Sequence, residues 1–330
     1  MAKLTLDMLK KYVFSRNGFY ADEVIKGPGI GEDAAVVKLS KKMYMVTHTD
    51  PITAARRNLG KLAIYVSSND IAVKGVKSKY ALITLLLKKG TTEEEIDEIT
   101  AQLDEAAKNL GISIVGGHTE IVESFDINVA VVTQIGFSSK KPLSISNIKP
   151  GDLLLQLNEA AIEGTAVIAN DYPELIVQFD EGALELAMSY INRITIMNDA
   201  LKLSSLGVEA MHDPTEGGII GGAVEMALGS NLKLNLNEDK VLITPLTRSI
   251  CDHLNLDPLK LLSSGTVLAA IKPKSAGKIL DKLGDKASII GTFEKGEPSL
   301  NIIRAKGIEV YKEPPQDEIY KLFMRTEPSS

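Results

Sequence analysis

The sequence predicts a mixed α/β protein of two domains, on three observations. A chain of 330 residues, 44% of them hydrophobic, is long enough to bury about two cores at roughly 150 residues per domain. Apolar runs of strand length interleave with helical three-and-four spacings along its length. A polar stretch with two prolines, Ser138–Gly151 (SSKKPLSISNIKPG), separates two well-patterned halves and places a first domain over 1–145 and a second over 146–330.

In the first half, Ala34–Leu39 and Met43–Thr49 have the composition of strands, and Asn58–Lys74 carries a helical pattern. Tyr80–Leu87 is a third strand. The clearest helix is Thr92–Leu110, where Ile96, Ile99, Leu103, Ala107 and Leu110 form one apolar stripe. Thr91 or Thr92 with Glu94 or Glu95 provides a capping box, and Gly111 stops the helix. Ile112–Val115 and Ile127–Phe137 follow as strands. The second half restarts with the strand Asp152–Leu157, then alternates helices near 162–169, 181–205, 216–229 and 274–283 with strands near 208–211, 232–236, 265–271 and 287–293. A short helix is expected near Asp317–Phe323, before a frayed final EPSS.

Composition narrows the function classes. With 37 Lys and Arg against 43 Asp and Glu, the net charge of −6 gives no basic footprint for a nucleic-acid backbone. The single cysteine, Cys251, allows no internal disulfide and no cysteine zinc cluster, which fits a reducing cytoplasm. Asp7, Lys10 and Lys11 interrupt what would be the apolar core of a signal peptide. The longest charge-free apolar stretches, Ile127–Ser139 and Leu261–Ile271, fall short of the roughly 20 residues a bilayer requires. A cytoplasmic protein that engages neither nucleic acid nor membrane is the expectation.

Candidate chemistry gathers at element ends. Gly27-Pro-Gly-Ile-Gly-Glu-Asp33 places three glycines and two carboxylates at the mouth of a strand. Glycines admit phosphates close to backbone N–H groups, and carboxylates recruit the accompanying Mg²⁺. The string has no Walker lysine after it and opens no helix, and by itself it suits an ordinary loop better than a phosphate site. Asp50 closes a strand, the usual ligand edge of an open α/β sheet, although Asp50-Pro51 alone equally suits a turn. Asp70 is the most informative residue: at 100° per residue it falls beside Leu59, Ala63 and Val66 on a helix apolar on nearly every side, with Asn69 adjacent. Burying a carboxylate costs several kcal/mol unless a cation or dedicated donors compensate, and Asp33 and Asp50 make a metal the favoured compensation. Gly116-Gly117-His118-Thr119-Glu120 is expected to end another strand, where His118 invites a ligand or acid–base reading beside the plainer one of a hydrogen-bonded loop histidine. None of the four histidines has zinc-type spacing. Asp213-Pro214-Thr215-Glu216-Gly217-Gly218 is expected to start a helix, with Asp213 as N-cap. Its glycines allow approach by a phosphate or, equally, tight packing.

In order and spacing, GIGEDAAVV, THTD, SSNDIAVKG, GISIVGGHTEIV, KPGDLLLQL, HDPTEGGI and DPLKLLSSGTVLAAI resemble the superfamily of aminoimidazole ribonucleotide (AIR) synthase, the hydrogenase maturation protein HypE, thiamine-monophosphate kinase and selenophosphate synthetase. The resemblance spans Gly27 to Gly291 and is nearest to HypE-like, AIR-synthase-related proteins. It implies an AIR-synthase-like α/β architecture whose N-terminal sheet pairs with its copy in a homodimer barrel, and an ATP cleft partly completed across the dimer. It implies Gly31, Asp33, Asp50, Asn69, Gly116, Gly117, Thr119, Thr215, Gly217 and Gly218 as nucleotide-binding residues. Asp33, Asp50, Asp70 and Glu120 would hold Mg²⁺, and Asp70, His118 and Asp213 would be catalytic. His118 stands where the family usually has a carboxylate, so either Glu120 substitutes for it as metal ligand or the metal is held more weakly. The implied activity is ATP- and Mg²⁺-dependent phosphorylation or dehydration of an amide-type or small phosphorylated substrate, with a maturation protein as a partner. Thiamine-monophosphate-kinase-like phosphotransfer and a non-catalytic nucleotide-binding scaffold are the alternatives. The chain ends Thr326-Glu327-Pro328-Ser329-Ser330 and has no cysteine before Gly27, which disfavours HypE chemistry on its own tail and selenophosphate synthesis.

Overall fold

The computed structural model describes residues 4–322 apart from 54 and 56. The chain forms two sheets, one in each half. The first is built from β1 (Val24–Lys26), β2 (Ala35–Ser40), β3 (Met43–Ile52), β4 (Ser78–Lys88), β5 (Ser113–Val122) and β6 (Val129–Ser138), in the order β1-β2-β3-β6-β4-β5. All neighbours are antiparallel except β4 and β5. Within one chain the sheet is open, with β1 and β5 at its edges.

Helices α1 (Leu59–Ala72) and α2 (Glu93–Leu110) pack together, and α1 also lies on β3 and β6. The capping box of α2 is formed by Thr92 and Glu95, and Gly111 ends it in a left-handed conformation. The near-uniform apolarity of α1 has a structural reason: α2, the first sheet and α5 of the second half surround it, and all but one of its residues are buried.

The second half contains β7 (Leu153–Leu157), α3 (Ile162–Asp171), α4 (Glu181–Ser189), α5 (Met197–Ser205), β8 (Ala210–His212), α6 (Gly218–Ser230), β9 (Lys233–Asn237) and α7 (Pro245–Leu254). There follow β10 (Val267–Ile271), α8 (Pro273–Leu283), β11 (Ala287–Glu294), β12 (Ser299–Arg304) and β13 (Gly307–Tyr311). Its seven strands run β13-β12-β9-β11-β7-β10-β8. The period of two is used on both faces: Leu154, Leu268 and Ala270 join the core around α6, whereas Leu155, Val267, Ala269 and Ile271 join the core that contains α1. One apolar core therefore runs from the first half into the second.

Four expectations are corrected. The helix expected over 181–205 is broken by a 3₁₀ turn at Tyr190–Arg193 and by residues 194–196, whose backbone bonds to Asn69 instead of continuing the helix. The strand expected to stop at Val115 continues to Val122, because its pairing with β4 extends through Gly116, Gly117 and His118. The helix expected from Asp213 begins only at Gly218, with Gly217 as its left-handed N-cap. The Ser138–Gly151 stretch is not simply a polar spacer, since Ile145 and Ile148 are buried in the core around α6. The helix α7 and the hairpin β12–β13 were not anticipated, although Thr244 caps α7 with Pro245 in its first turn. At the chain end, Tyr320–Leu322 is helical; Phe323 and the EPSS tail lie outside the described residues.

Candidate active site

The acidic centre forms where the two halves meet. Asp33 comes from the loop before β2, Asp70 from the last turn of α1, and Asp213 from the turn between β8 and α6. One carboxylate oxygen of each lies within 4.8 Å of the others. Their spacings of 37 and 143 residues carry no local motif, so only the tertiary fold unites them.

The polar surroundings are unequal. His212 places Nδ1 2.5 Å from Asp33 and Nε2 2.8 Å from Glu225, so one buried imidazole links the acidic loop of the first half to α6 of the second. Lys74, 1% exposed just beyond α1, lies 2.7 Å from Glu32 and 3.7 Å from Asp33. Lys26 reaches Glu32 at 3.0 Å, and His48 approaches Asp70 at 3.3 Å. Burial opposes charge on Asp33, but His212 and Lys74 outweigh it and hold its pKa below the usual carboxylate value. Asp70 is pushed the other way, well up, by burial first and then by Asp213, Asp50 and Asp33. Asp213 is raised to about 8 by burial and by Asp33. Both of its carboxylate oxygens, and Oδ2 of Asp33, are buried without a hydrogen-bond partner. Burial also opposes charge on His212, yet Asp33 and Glu225 raise its pKa to about 10.

The cluster opens into a cleft of about 280 Å³ that Gly31, Asp50 and Thr215 also line, and that Leu6, Leu9 and Phe14 of the N-terminal segment wall on one side. Gly31 has a structural duty there: its φ is +70°, and a Cβ would stand 2.8 Å from the backbone oxygen of Glu225. The glycine loop thus lies directly on α6. A second chamber of about 140 Å³ adjoins the cleft and shares Asp50 and Thr215 with it.

The other expected site residues lie elsewhere or are already engaged. The Asn69 amide donates to the Ile194 carbonyl and accepts from the Ile196 N–H, both at 3.0 Å, so both of its ends tie the halves together. The Gly217 N–H donates to Asp317 Oδ2 at 2.7 Å, and that of Gly218 to the Thr215 carbonyl. Gly116 and Gly117 are not in a phosphate turn but inside β5, opposite Leu82 and Ile83. His118 and Glu120 lie on the same exposed strand, 3.4 Å apart. Gly116, Gly117, His118 and Thr119 line a separate hollow on the sheet, away from the acidic cleft of the same chain. Glu32, Lys74 and Glu225 were missed as site residues. Lys74 had a signal, as the lone cation in the apolar run Ile71–Val76.

Comparison with known proteins agrees with this architecture. The profile of the AIR synthase related protein N-terminal domain matches residues 31–136, and that of the C-terminal domain matches 149–302. A hydrogenase expression/formation protein of Methanocaldococcus jannaschii is 28% identical over 306 residues, covering 88% of this chain and 89% of the relative. A carbamoyl dehydratase HypE of Bradyrhizobium diazoefficiens is 26% identical over 261 residues, 76% of this chain and 74% of its own. Among solved structures, a HypE–HypF complex gives a TM-score of 0.71 at 25% identity over 86% of this chain and 94% of that one. A HypE in complex with ATP shares the fold at a TM-score of 0.71 and 19% identity, over 96% and 94%.

Proposed function

Because the chain belongs to the AIR synthase related proteins, matched through both of that family's domains, we propose that it is an ATP- and Mg²⁺-dependent enzyme that phosphorylates or dehydrates an amide-type or small phosphorylated substrate, a reading supported by a carbamoyl dehydratase among its relatives. The observation that carries this reading is the close triad Asp33, Asp70 and Asp213, in which neither buried oxygen of Asp213 has a hydrogen-bond partner.

The triad fits a divalent cation of oxygen preference. Burial first, and then the closeness of the three carboxylates, disfavours charge on Asp70 and Asp213 and raises their pKa values, and a dication offsets both effects. Asp33, Asp70 and Asp213 would hold it, with Asp50 at the margin of the same cleft. When bound, it supplies neutralisation of phosphate charge. The protein's own groups do the positioning. His212 and Lys74 hold Asp33, with Glu32 holding Lys74 in turn, while the apolar side chains of Leu6, Leu9 and Phe14 keep bulk water from one side of the cleft. In this reading β5 pairs with its copy in a homodimer, which brings Gly116, Gly117, His118, Thr119 and Glu120 to the partner's cleft. Its support is the exposed edge, with Ile114, Val115 and Ile121 each more than 40% accessible. A maturation protein as partner has its support in the HypE–HypF complex.

The test is Asp70→Asn, which keeps shape and removes charge. Affinity for Mg-ATP is expected to fall at least tenfold and ADP release with it; unchanged affinity and turnover would sink the assignment. Mg-ATP binding by the wild-type chain is measured first, by calorimetry.

A further inference from the structure

Residues 4–17 are held to the body of the protein by very little. They form a short helix, Leu6–Met8, that runs directly into a π turn, Leu9–Val13. No residue of this stretch is buried, and Leu4, Met8, Tyr12 and Val13 are each more than 40% exposed. Its hydrogen bonds close within it, as when the Phe14 N–H donates to the Leu9 carbonyl and the Asn17 amide to the Phe14 carbonyl, both at 2.8 Å. Among the described residues, neither Lys11 nor Arg16 has a carboxylate partner; both cations lie over the ring of Tyr12, inside the same stretch.

Contact with the body falls to Leu6, Leu9 and Phe14, which wall the acidic cleft. The π turn aims the last of them. On an α-helix Phe14 would point about 140° away from Leu9, whereas a π turn brings residues five apart onto one side. Leu6 and Leu9 also wall an outer chamber of about 330 Å³, whose far side is formed by Pro314, Pro315 and Tyr320. The stretch is therefore a partition with a cavity on each side. It joins the body through a free pivot and a fixed root. Gly18 has a φ of +61°, and a Cβ there would meet nothing within 4 Å. Tyr20 lies against the glycine loop, where a Cβ on Gly27 would stand 3.1 Å from its hydroxyl oxygen.

We propose that residues 4–17 are a gate that swings about Gly18 between two seats, an inner one over the nucleotide cleft and an outer one against Pro314, Pro315 and Tyr320. The inference rests on the nucleotide-binding reading above and adds how the cleft is entered. A segment with few buried contacts and no hydrogen bond to the body belongs to the part of a protein that opens at least cost. Both seats offer apolar surface to Leu6 and Leu9, so the swing exchanges one apolar contact for another. A nucleotide in the cleft touches the gate only in its inner seat, so binding draws the population there. The closed gate then covers the nucleotide and keeps water from it.

The sequence contains no tryptophan, so Phe14→Trp and Tyr12→Trp each introduce a sole indole, the first on the cleft side and the second on the exposed side. Both full-length variants are quenched with acrylamide, first in EDTA and then with Mg²⁺ and saturating β,γ-methylene ATP, whose binding is followed by calorimetry. With nucleotide, the quenching constant of Phe14→Trp is expected to fall about threefold or more, and that of Tyr12→Trp to change by less than about 1.5-fold. Deletion of residues 1–17 removes none of the buried described residues. In stopped flow with methylanthraniloyl ATP, it is expected to raise both association and dissociation rates about fivefold or more, because a gate limits entry as well as exit. These kinetics decide the question by themselves where a tryptophan variant does not fold. Faster dissociation with unchanged association marks a fixed wall and overturns the proposal, as does an equal change in quenching at both positions or none at Phe14→Trp. A deletion that halves the mass in light scattering assigns the stretch to a subunit contact and overturns it too. A wild-type chain that binds the nucleotide with kinetics the deletion does not alter refutes the gate alone. Failure of the wild-type chain to bind the nucleotide refutes the nucleotide-binding reading and the gate with it.

Discussion

Asp213→Asn is the perturbation on which the structure speaks most directly. The Asp213 carboxyl is 2% exposed, neither oxygen has a hydrogen-bond partner, and burial with Asp33 nearby raises its pKa from 3.8 to about 8. The unfolded chain releases this proton near pH 4, whereas the folded protein keeps it to about pH 8. The folded state therefore binds more protons across that window, and metal-free stability falls as pH rises through it. Four units at 1.36 kcal/mol each set a ceiling of about 5–6 kcal/mol. The charge is shared with Asp33 and Asp70, so about 2–3 kcal/mol is assigned to Asp213 alone. With about 2.1 cal/mol/K per residue over 330 residues, that corresponds to ~3–4 °C in Tm. In EDTA, Asp213→Asn should melt ~3–4 °C above wild type at pH 8.5 and close to wild type at pH 4.5. His212, raised from 6.5 to about 10, contributes stability that is complete below pH 6.5 and lost through pH 10, so a slope of the same sign persists in the variant over that range. Millimolar Mg²⁺ should raise the wild-type melting temperature at pH 8.5 and leave the variant nearly unmoved. A variant that loses stability equally at both pH values, or that Mg²⁺ stabilises as it does wild type, would refute the buried-charge argument.

Three further outcomes are expected. Lys74→Met removes the buried cation between Glu32 and Asp33 and should cost about 2–3 kcal/mol in urea denaturation, because Glu32 then keeps only Lys26 and Ser144, and Asp33 only His212, to balance its charge. Gly117→Ala should destabilise by more than about 2 kcal/mol and disturb the β4–β5 pairing, read by amide exchange, since its Cβ would stand 1.7 Å from the Ile83 carbonyl oxygen. Cys251 is fully buried and its thiol is pushed up to about 12, by burial first and then by Asp252, so iodoacetamide at pH 8 should label it only after urea is added.

How much of this was legible before folding differs between fold and site. The alternation of β4 and the stripe and capping box of α2 are local, and the structure realises both with boundaries shifted by a residue or two. Asp70 was legible as a buried carboxylate because its helix is apolar on every side. Asp213 looked like a helix cap, because Asp-Pro ahead of Glu and Gly is a common local start. Its side chain instead faces the other acids, a choice that no local signal encodes. Asn69 looked like a ligand contact for the opposite reason: a polar residue beside a buried acid suggests a site, yet its partners are backbone groups some 125 residues away.

The order of most elements up to β11, the apolar stripes, the charge balance and the presence of buried acid on α1 follow from the sequence by itself, because periodicity and burial cost act within a turn or two of chain, whereas α7 and the hairpin β12–β13 were not read from it. Which acids meet and which histidine joins the halves were decided only by tertiary packing. Asp33, Asp70 and Asp213 share one cleft because α1 is enclosed by both halves, and that enclosure brings the loop before β2 and the turn after β8 onto the end of one helix.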